Sequence, residues 1–172
     1  MREFADEARI RGFMHALGEA ASDDADCFLT GGATAVLLGW RATTLDVDIR
    51  LEPERDEVLR AIPTIKDELA INVELASPAD FVPVPEGWRD RSVFITREGR
   101  LSFRHFDPYS QALAKLERGH AQDLDDVRAM LERGLIERAR LVDLFAATEQ
   151  DVYRFPAVDA DAYRAAVHDF RA

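Results

Sequence analysis

Apolar residues recur along the chain at two spacings, one typical of helices and the other typical of strands. Over residues 2–20 they fall three or four positions apart, which predicts an amphipathic helix with one buried face. The apolar residues of that face are Phe4, Ile10, Phe13, Met14 and Leu17. Further helices are predicted over residues 33–39, 54–69, 109–118, 124–132, 135–147 and 159–170. Pro63 predicts a kink or a division in the helix over 54–69.

Alternation of apolar and polar residues predicts two of the strands, over 44–50 and 71–75. The residues expected to face the core are Leu45, Val47 and Ile49 in the first strand and Ile71, Val73 and Leu75 in the second. Asp46 and Asp48 share the opposite face of the first strand, as Asn72 and Glu74 do in the second. An apolar strand over 26–30 and a hairpin over 93–96 and 101–106, with Gly99 in its turn, complete the predicted sheet.

Two neighbouring features of the sequence suggest chemistry. Gly31 and Gly32 follow Thr30 at the end of a predicted strand, and the backbone N–H groups of such a turn can hold phosphate. Asp46 and Asp48 lie about 6–7 Å apart along one strand face, and carboxylate oxygens are ligands that Mg²⁺ accepts. Each feature by itself has a simpler explanation. The glycine pair could be only a tight turn, and the two aspartates could be only solvated charges. Together they favour phosphoryl or nucleotidyl transfer, because acidic residues are depleted in strands and this strand carries two on one face.

This combination resembles the signature of the DNA polymerase beta-type nucleotidyltransferase superfamily, in which a glycine turn precedes a helix and an Asp-apolar-Asp strand. Here Gly31-Gly32 is followed by thirteen residues and then by Asp46-Val47-Asp48. The chain is most similar to small bacterial and archaeal nucleotidyltransferase-like proteins, which are related to the minimal nucleotidyltransferases and to the toxins of abortive-infection systems. The resemblance implies an α/β fold, a mixed sheet with helices on one face and a helical C-terminal region. It also implies that Thr30 and the two glycines contact the nucleotide.

A third carboxylate is expected from the same resemblance. Many members of the superfamily carry one on a later strand, usually Asp, where it binds metal and acts as general base. Glu74 takes that position here if its strand lies beside the Asp46/Asp48 strand, and a glutamate departs from the usual pattern. The alternative is that Glu74 is a surface charge.

A second stretch of the resemblance lies in the C-terminal half. Asp107 and Pro108 predict the start of a helix, as N-cap and first helical residue. Lys115 and Arg118 follow on that helix, and Asp123 opens the next one in an Asp-x-x-Asp pattern that ends at Asp126. Related toxins have a lysine, an arginine-rich turn and this acidic pair, so the resemblance implies nucleotide binding by Lys115, Arg118 and Asp123. A Lys115–Asp123 ion pair that braces two helices is the alternative.

The net charge and the composition limit the kinds of molecule that this protein is expected to bind. The 172 residues carry a net charge of −11, which counts against binding of extended nucleic acid, although an RNA end is not excluded. Arginines 89, 91, 97, 100 and 104 form one candidate basic patch. Phe81 and Trp88, in a proline-rich loop, either pack that loop or line a base pocket. A single cysteine, an acidic N-terminus and no apolar run long enough for a bilayer favour a cytoplasmic protein.

The sequence therefore predicts an α/β core over residues 1–106 and a helical region over 107–172. The expected function is metal-dependent transfer of a nucleoside monophosphate from an NTP to a hydroxyl of a protein, an RNA end or a small molecule. Asp46, Asp48 and Glu74 would bind Mg²⁺ or Mn²⁺. The alternative is a catalytically silent protein of the same fold that acts through a protein partner, such as a toxin–antitoxin component.

Overall fold

A computed structural model describes residues 2–171, which form a five-stranded mixed sheet and eight α-helices. The strands are β1 (Ala25–Thr30), β2 (Asp46–Glu52), β3 (Asn72–Leu75), β4 (Val93–Glu98) and β5 (Leu101–His105). The helices are α1 (Glu7–Ala20), α2 (Gly32–Leu38), α3 (Asp56–Leu69), α4 (Trp88–Arg91), α5 (Pro108–Arg118), α6 (Ala121–Glu132), α7 (Arg138–Thr148) and α8 (Ala160–Asp169). Short 3₁₀ turns lie at Pro78–Asp80 and Glu149–Arg154. The predicted α/β class with C-terminal helices is confirmed.

The strands are arranged in the order β3-β2-β1-β5-β4. β1 pairs antiparallel with β2 and parallel with β5, and β2 pairs parallel with β3. β4 and β5 form the predicted hairpin, with Gly99 in the left-handed region at its turn (φ +55°). β2 therefore lies between β1 and β3, so that the carboxylates of β2 have a neighbouring strand on each side.

The chain divides into two compact units. The sheet unit takes the described residues up to Ser77 together with Ser92–His105, and the helical unit takes Pro78–Arg91 together with the described residues from Phe106 onward. The predicted boundary at 106/107 stays a prediction, and the segment 78–91 groups with the C-terminal helices. Within residues 2–171 no helix combines the length and the apolar content needed to cross a membrane.

The core of the sheet unit lies on one face of the sheet, where α1 and α3 pack. Apolar residues of β1, β2 and β5, among them Cys27, Val47 and Phe103, are fully buried there. Their alternation with half-buried polar residues along β2 leaves the opposite face for charged side chains. The hydrophobic pattern thus determines which face of the sheet can carry chemistry.

Three residues expected in the core are exposed instead. Phe4 precedes α1, which begins at Glu7, and 59% of its surface is accessible. Leu45 lies just before β2 and Leu75 ends β3, and their exposed fractions are 62% and 58%. These predictions were wrong because periodicity shows which residues share a face but not where the covering element ends.

Of the kink or division predicted at Pro63, the division does not occur, and the kink stays a prediction. α3 runs from Asp56 to Leu69 without interruption, with Pro63 on its exposed side. The proline removes one helical N–H donor, but Ile62 and Ile65 are buried on the other side of the helix. Packing of this apolar face outweighs the single lost hydrogen bond.

Helix α5 begins at the predicted cap. The Asp107 side chain accepts a hydrogen bond from the backbone N–H of Tyr109, and Pro108 takes the first helical position of α5. Asp107 is fully buried and also accepts from Ser110 Oγ (2.7 Å) and from Arg91 Nη2 (2.8 Å). Arg91 in turn donates to the carbonyl of Pro85, so one carboxylate fixes the proline-rich loop onto the start of α5.

Candidate active site

A row of three side chains crosses the sheet at the end of β1. In the strand register, Thr30 of β1 pairs with Asp48 of β2, and Asp48 pairs with Glu74 of β3. Residues directly opposite each other on neighbouring strands point to the same face. Asp46, two residues earlier on β2, lies on that face and pairs with Asn72. The condition for a role of Glu74, that β3 lies beside β2, is met by this register, whereas the role of Glu74 in catalysis stays a prediction.

The glycine turn lies directly against this row. Gly31 has a positive φ (+63°), and a Cβ on it would stand 3.1 Å from Asp48 Oδ2. Gly32 begins α2, and a Cβ there would stand 2.0 Å from Thr44 Oγ1 and 3.3 Å from Arg41 Nη1. Both positions therefore require glycine for a physical reason, the first for conformation and close approach and the second for close approach.

Asn72 connects two of the carboxylates. Its Nδ2 donates to Asp46 Oδ1 (2.6 Å) and to Glu74 Oε1 (3.3 Å), and its Oδ1 accepts from Arg2 Nη1. The sequence placed Asn72 on the same face as Glu74 but gave it no function. The spacing of Asn72 and Glu74, two positions apart on one strand face, could have identified Asn72 as a residue of the site. Arg2 could not be found from the sequence, since its contact spans 70 residues.

The donor chemistry of this face fits a hard divalent cation. Asp46, Asp48 and Glu74 supply carboxylate oxygens, the ligands that Mg²⁺ and Mn²⁺ prefer, and Gly31 leaves room beside Asp48 that a Cβ would fill. In residues 2–171, however, no group of three or more His, Cys, Asp and Glu side chains is gathered closely enough to hold a metal ion as it stands. The metal therefore stays a proposal that rests on the donor set and the register.

Lys115, Arg118 and Asp123 come together in the helical unit. The Lys115 ammonium lies 2.7 Å from Asp126 Oδ2 and 3.8 Å from Asp123 Oδ1, and all three side chains are at most 7% exposed. Arg118, which is 60% exposed, donates to both oxygens of Asp123, and the backbone N–H of His120 donates to Oδ2 of the same carboxylate. This cluster ties α5 to the start of α6, and its part in nucleotide binding stays a prediction.

The pKa of Asp123 reflects the competition in that cluster. Burial raises the pKa of the carboxyl, but the hydrogen bond and charge of Arg118, the charge of Lys115 and the N–H of His120 outweigh burial. The pKa of Asp123 is therefore below its ordinary value, and the group is a carboxylate at neutral pH. A carboxylate that is paired with two cations can position them, but its lowered pKa makes it a poor general base.

Most arginines of the candidate basic patch form ion pairs with aspartate side chains. Arg97 and Arg100 both pair with Asp24, and Arg104 pairs with Asp26. In the helical unit Arg91 pairs with the buried Asp107, as described above. Arginines already paired with carboxylates are poorly placed to neutralise the phosphates of a nucleic acid.

The two aromatic residues of the proline-rich loop differ in their surroundings. Trp88 is 7% exposed and stacks on Phe106, with ring centroids 4.3 Å apart and planes 6° apart. The Arg89 guanidinium lies 4.2 Å above the Trp88 ring. Trp88 therefore packs the loop, which is one of the two roles predicted for it. Phe81 is 55% exposed.

Most of the chain matches a family of known proteins. The family described as "Nucleotidyltransferase of unknown function (DUF6036)" has a model that matches residues 9–170. The chain belongs to this family. The match includes the glycine turn, the three carboxylates of the sheet unit and the Lys115 cluster, so the nucleotidyltransferase resemblance of the sequence is confirmed at the level of the family. No curated protein and no solved structure matches the chain.

Membership of the DUF6036 family indicates transferase activity with a nucleotide substrate. The relation to the DNA polymerase beta-type superfamily and to abortive-infection toxins stays a prediction.

Proposed function

We propose that the chain transfers a nucleoside monophosphate from an NTP to a hydroxyl group, with Asp46, Asp48 and Glu74 around the reacting phosphate. The observation that carries the proposal is the contact between the glycine turn and Asp48, with Glu74 beside Asp48 in the strand register. A phosphate held at the turn would lie next to the carboxylates. This adjacency is what nucleotidyl transfer requires, because the enzyme mainly positions the phosphates and stabilises their charge.

Asp46 and Asp48, with Glu74, are the residues that would hold Mg²⁺ or Mn²⁺. When bound, such an ion neutralises phosphate charge and polarises the phosphorus under attack. The carboxylate of Asp48 lies against the backbone of Gly31, and Glu74 is its partner in the strand register.

The residues of this chain account for the remaining parts of the transfer. The backbone of Gly31 and Gly32 holds the β- and γ-phosphates, and the Arg41 guanidinium adds positive charge beside Gly32. The acceptor hydroxyl oxygen forms a bond to the α-phosphorus, the bond from that phosphorus to the bridging oxygen of the β-phosphate breaks, and pyrophosphate leaves. Glu74, which is exposed, takes the proton of the hydroxyl as general base.

The acceptor is a protein, an RNA end or a small molecule. The net charge of −11 and the pairing of the hairpin arginines with Asp24 and Asp26 weigh against extended nucleic acid.

Calorimetric titration with ATP, CTP, GTP and UTP, each with and without Mg²⁺, tests the proposal. The wild type is compared with Asp46→Asn/Asp48→Asn, and Asp125→Asn/Asp161→Asn serves as a control with the same change in charge at two exposed positions. We expect Mg²⁺-dependent binding of at least one nucleotide to the wild type and to the control, and its loss in Asp46→Asn/Asp48→Asn. Equal binding by all three proteins would place the nucleotide elsewhere and would overturn the proposal.

A second candidate is a protein of this fold that transfers nothing and acts through a protein partner, as a toxin–antitoxin component would. The observation that favours it is that the carboxylates of residues 2–171 are not gathered into a group of three that could hold a metal ion. Failure of every nucleotide to bind in the same titration would favour this candidate.

A further inference from the structure

The N-terminal segment is held along the edge of the candidate site by backbone hydrogen bonds. The N–H of Glu3 donates to the carbonyl of Ala70 (2.7 Å), and Ala5 and Thr44 exchange two hydrogen bonds of 2.8 and 2.9 Å. The segment therefore brings Arg2 beside Asn72, the residue at the beginning of β3, and Arg2 Nη1 donates to Asn72 Oδ1.

This contact determines which end of the Asn72 amide faces the carboxylates. A guanidinium has only donors, so the amide oxygen must face Arg2. The amide NH₂ group then faces Asp46 and Glu74, which it reaches at 2.6 and 3.3 Å. An ionised carboxylate can only accept, so all three partners of the amide are satisfied in this orientation and none would be in the opposite one.

We propose that Asn72 is a positioning residue for the metal-binding carboxylates, and that Arg2 sets the orientation in which it works. The inference rests on the proposed function, since it concerns the same carboxylates. Carboxylates that bind metals are themselves held by hydrogen bonds, and loss of such a partner typically weakens metal binding about 10- to 100-fold. Asn72 supplies this hydrogen bond to Asp46, and it connects β3 to β2 on the polar face of the sheet.

Mn²⁺ binding, measured by calorimetry or by the electron paramagnetic resonance signal of the free ion, tests the role without any need for activity. We expect Asn72→Leu to bind Mn²⁺ about 10- to 100-fold more weakly than the wild type. Arg2→Leu is expected to weaken binding by a smaller factor, and Arg2→Lys, which keeps a donor, to restore it. Arg60→Leu is the control, because Arg60 is an exposed arginine of α3 that pairs only weakly with Asp56 at 3.8 Å.

NMR of the Asn72 side chain is a second measurement, and it tests the inference on the wild type even if the Asn72→Leu variant does not fold. The side-chain NH₂ signals of Asn72, observed by NMR, are expected to shift during titration with Mg²⁺. They are also expected to shift in Arg2→Leu but not in Arg2→Lys or Arg60→Leu.

The outcomes separate this inference from the proposed function. If the wild type binds Mn²⁺ and Asn72→Leu binds it equally well, or if the Asn72 signals do not respond to Mg²⁺ bound by the wild type, the role of Asn72 is wrong and the proposed function stands. If Arg2→Leu leaves both measurements unchanged, the role of Arg2 is wrong. If the wild type binds no Mn²⁺, the proposed metal site fails and the inference fails with it.

Discussion

The backbone of Gly31 lies against the carboxylate of Asp48, and a Cβ at Gly31 would stand 3.1 Å from Asp48 Oδ2. Fifteen positions of sequence, a helix and a loop separate residues 31 and 46, yet the turn and the β2 carboxylates meet on one face of the sheet. Because the turn determines where Asp48 can lie, changes at the two glycines should affect the site and the stability of the fold to different extents.

Gly31→Ala should weaken nucleotide and metal binding as well as stability. Gly31 has φ +63° and ψ −130°, outside the left-handed helical region, so an L-residue there costs roughly 1–3 kcal/mol, and the new Cβ also displaces the Asp48 carboxylate. Gly39→Ala is the control, since Gly39 lies in the left-handed helical region (φ +93°, ψ 15°) and has no atom within 4 Å of the added Cβ. Urea unfolding should show a loss of stability for both variants, at least as large for Gly31→Ala, and calorimetry should show weaker Mn²⁺ binding for Gly31→Ala alone. Similar binding by the two variants would show that the contact with Asp48 is unimportant.

Gly32→Ala should destabilise the fold by roughly 1–3 kcal/mol through overpacking. Its Cβ would stand 2.0 Å from Thr44 Oγ1 and 2.7 Å from Thr44 Cβ, so the loop that carries Thr44 must move. The same substitution in a Thr44→Gly background should cost much less, because the obstructing atoms are absent. A double-mutant cycle in urea measures the difference, and strict additivity of the two changes would contradict this explanation.

Lys115→Met should lower the free energy of unfolding by roughly 3–5 kcal/mol, the cost of removing the buried cation that lies against Asp126. Lys115 lies 2.7 Å from Asp126, and both side chains are at most 7% exposed. The exposed pair Arg128–Asp125 provides the control, and Arg128→Met should change stability by about 1 kcal/mol or less. If Lys115→Met is as stable as the control but binds nucleotide more weakly, Lys115 serves the phosphates and does not brace the helices.

His105 should make the protein less stable as the pH falls below about 6.5. Burial, with a smaller contribution from the charge of Arg11, lowers the pKa of His105 from 6.5 to about 4. The unfolded chain therefore takes up a proton before the folded chain does, and stability falls by roughly 3 kcal/mol between pH 6.5 and pH 4. Urea unfolding across this range should show a shallower pH dependence for His105→Gln than for the wild type.

His15→Gln is the comparison for that experiment. A hydrogen bond to Glu98 raises the pKa of His15, so this group stabilises the fold when protonated and acts with the opposite sign. The loss of stability with falling pH that is attributed to His105 should therefore persist in His15→Gln. Its disappearance in that variant would show that His105 is not its cause.

The fold class could be predicted from the sequence because the signals for it are local. Alternation along β2 gives the strand and its two faces, and Asp107 with Pro108 gives the start of α5. Leu45 and Leu75 show the limit of that approach. Each has the correct period for a core residue, but each lies at a strand end and is more than half exposed, and the sequence pattern does not record the extent of the covering layer.

The sequence by itself determined that Asp46 and Asp48 share a strand face and that a glycine turn precedes them, since both follow from spacing and from the conformations open to glycine. Only the tertiary structure decided that Glu74 pairs with Asp48, that Lys115 lies closer to Asp126 than to Asp123, and that Arg2 donates to Asn72. Strand register and side-chain contacts between distant segments depend on how the whole core packs. A local pattern can therefore name the groups that carry the chemistry, but it cannot say which of them touch.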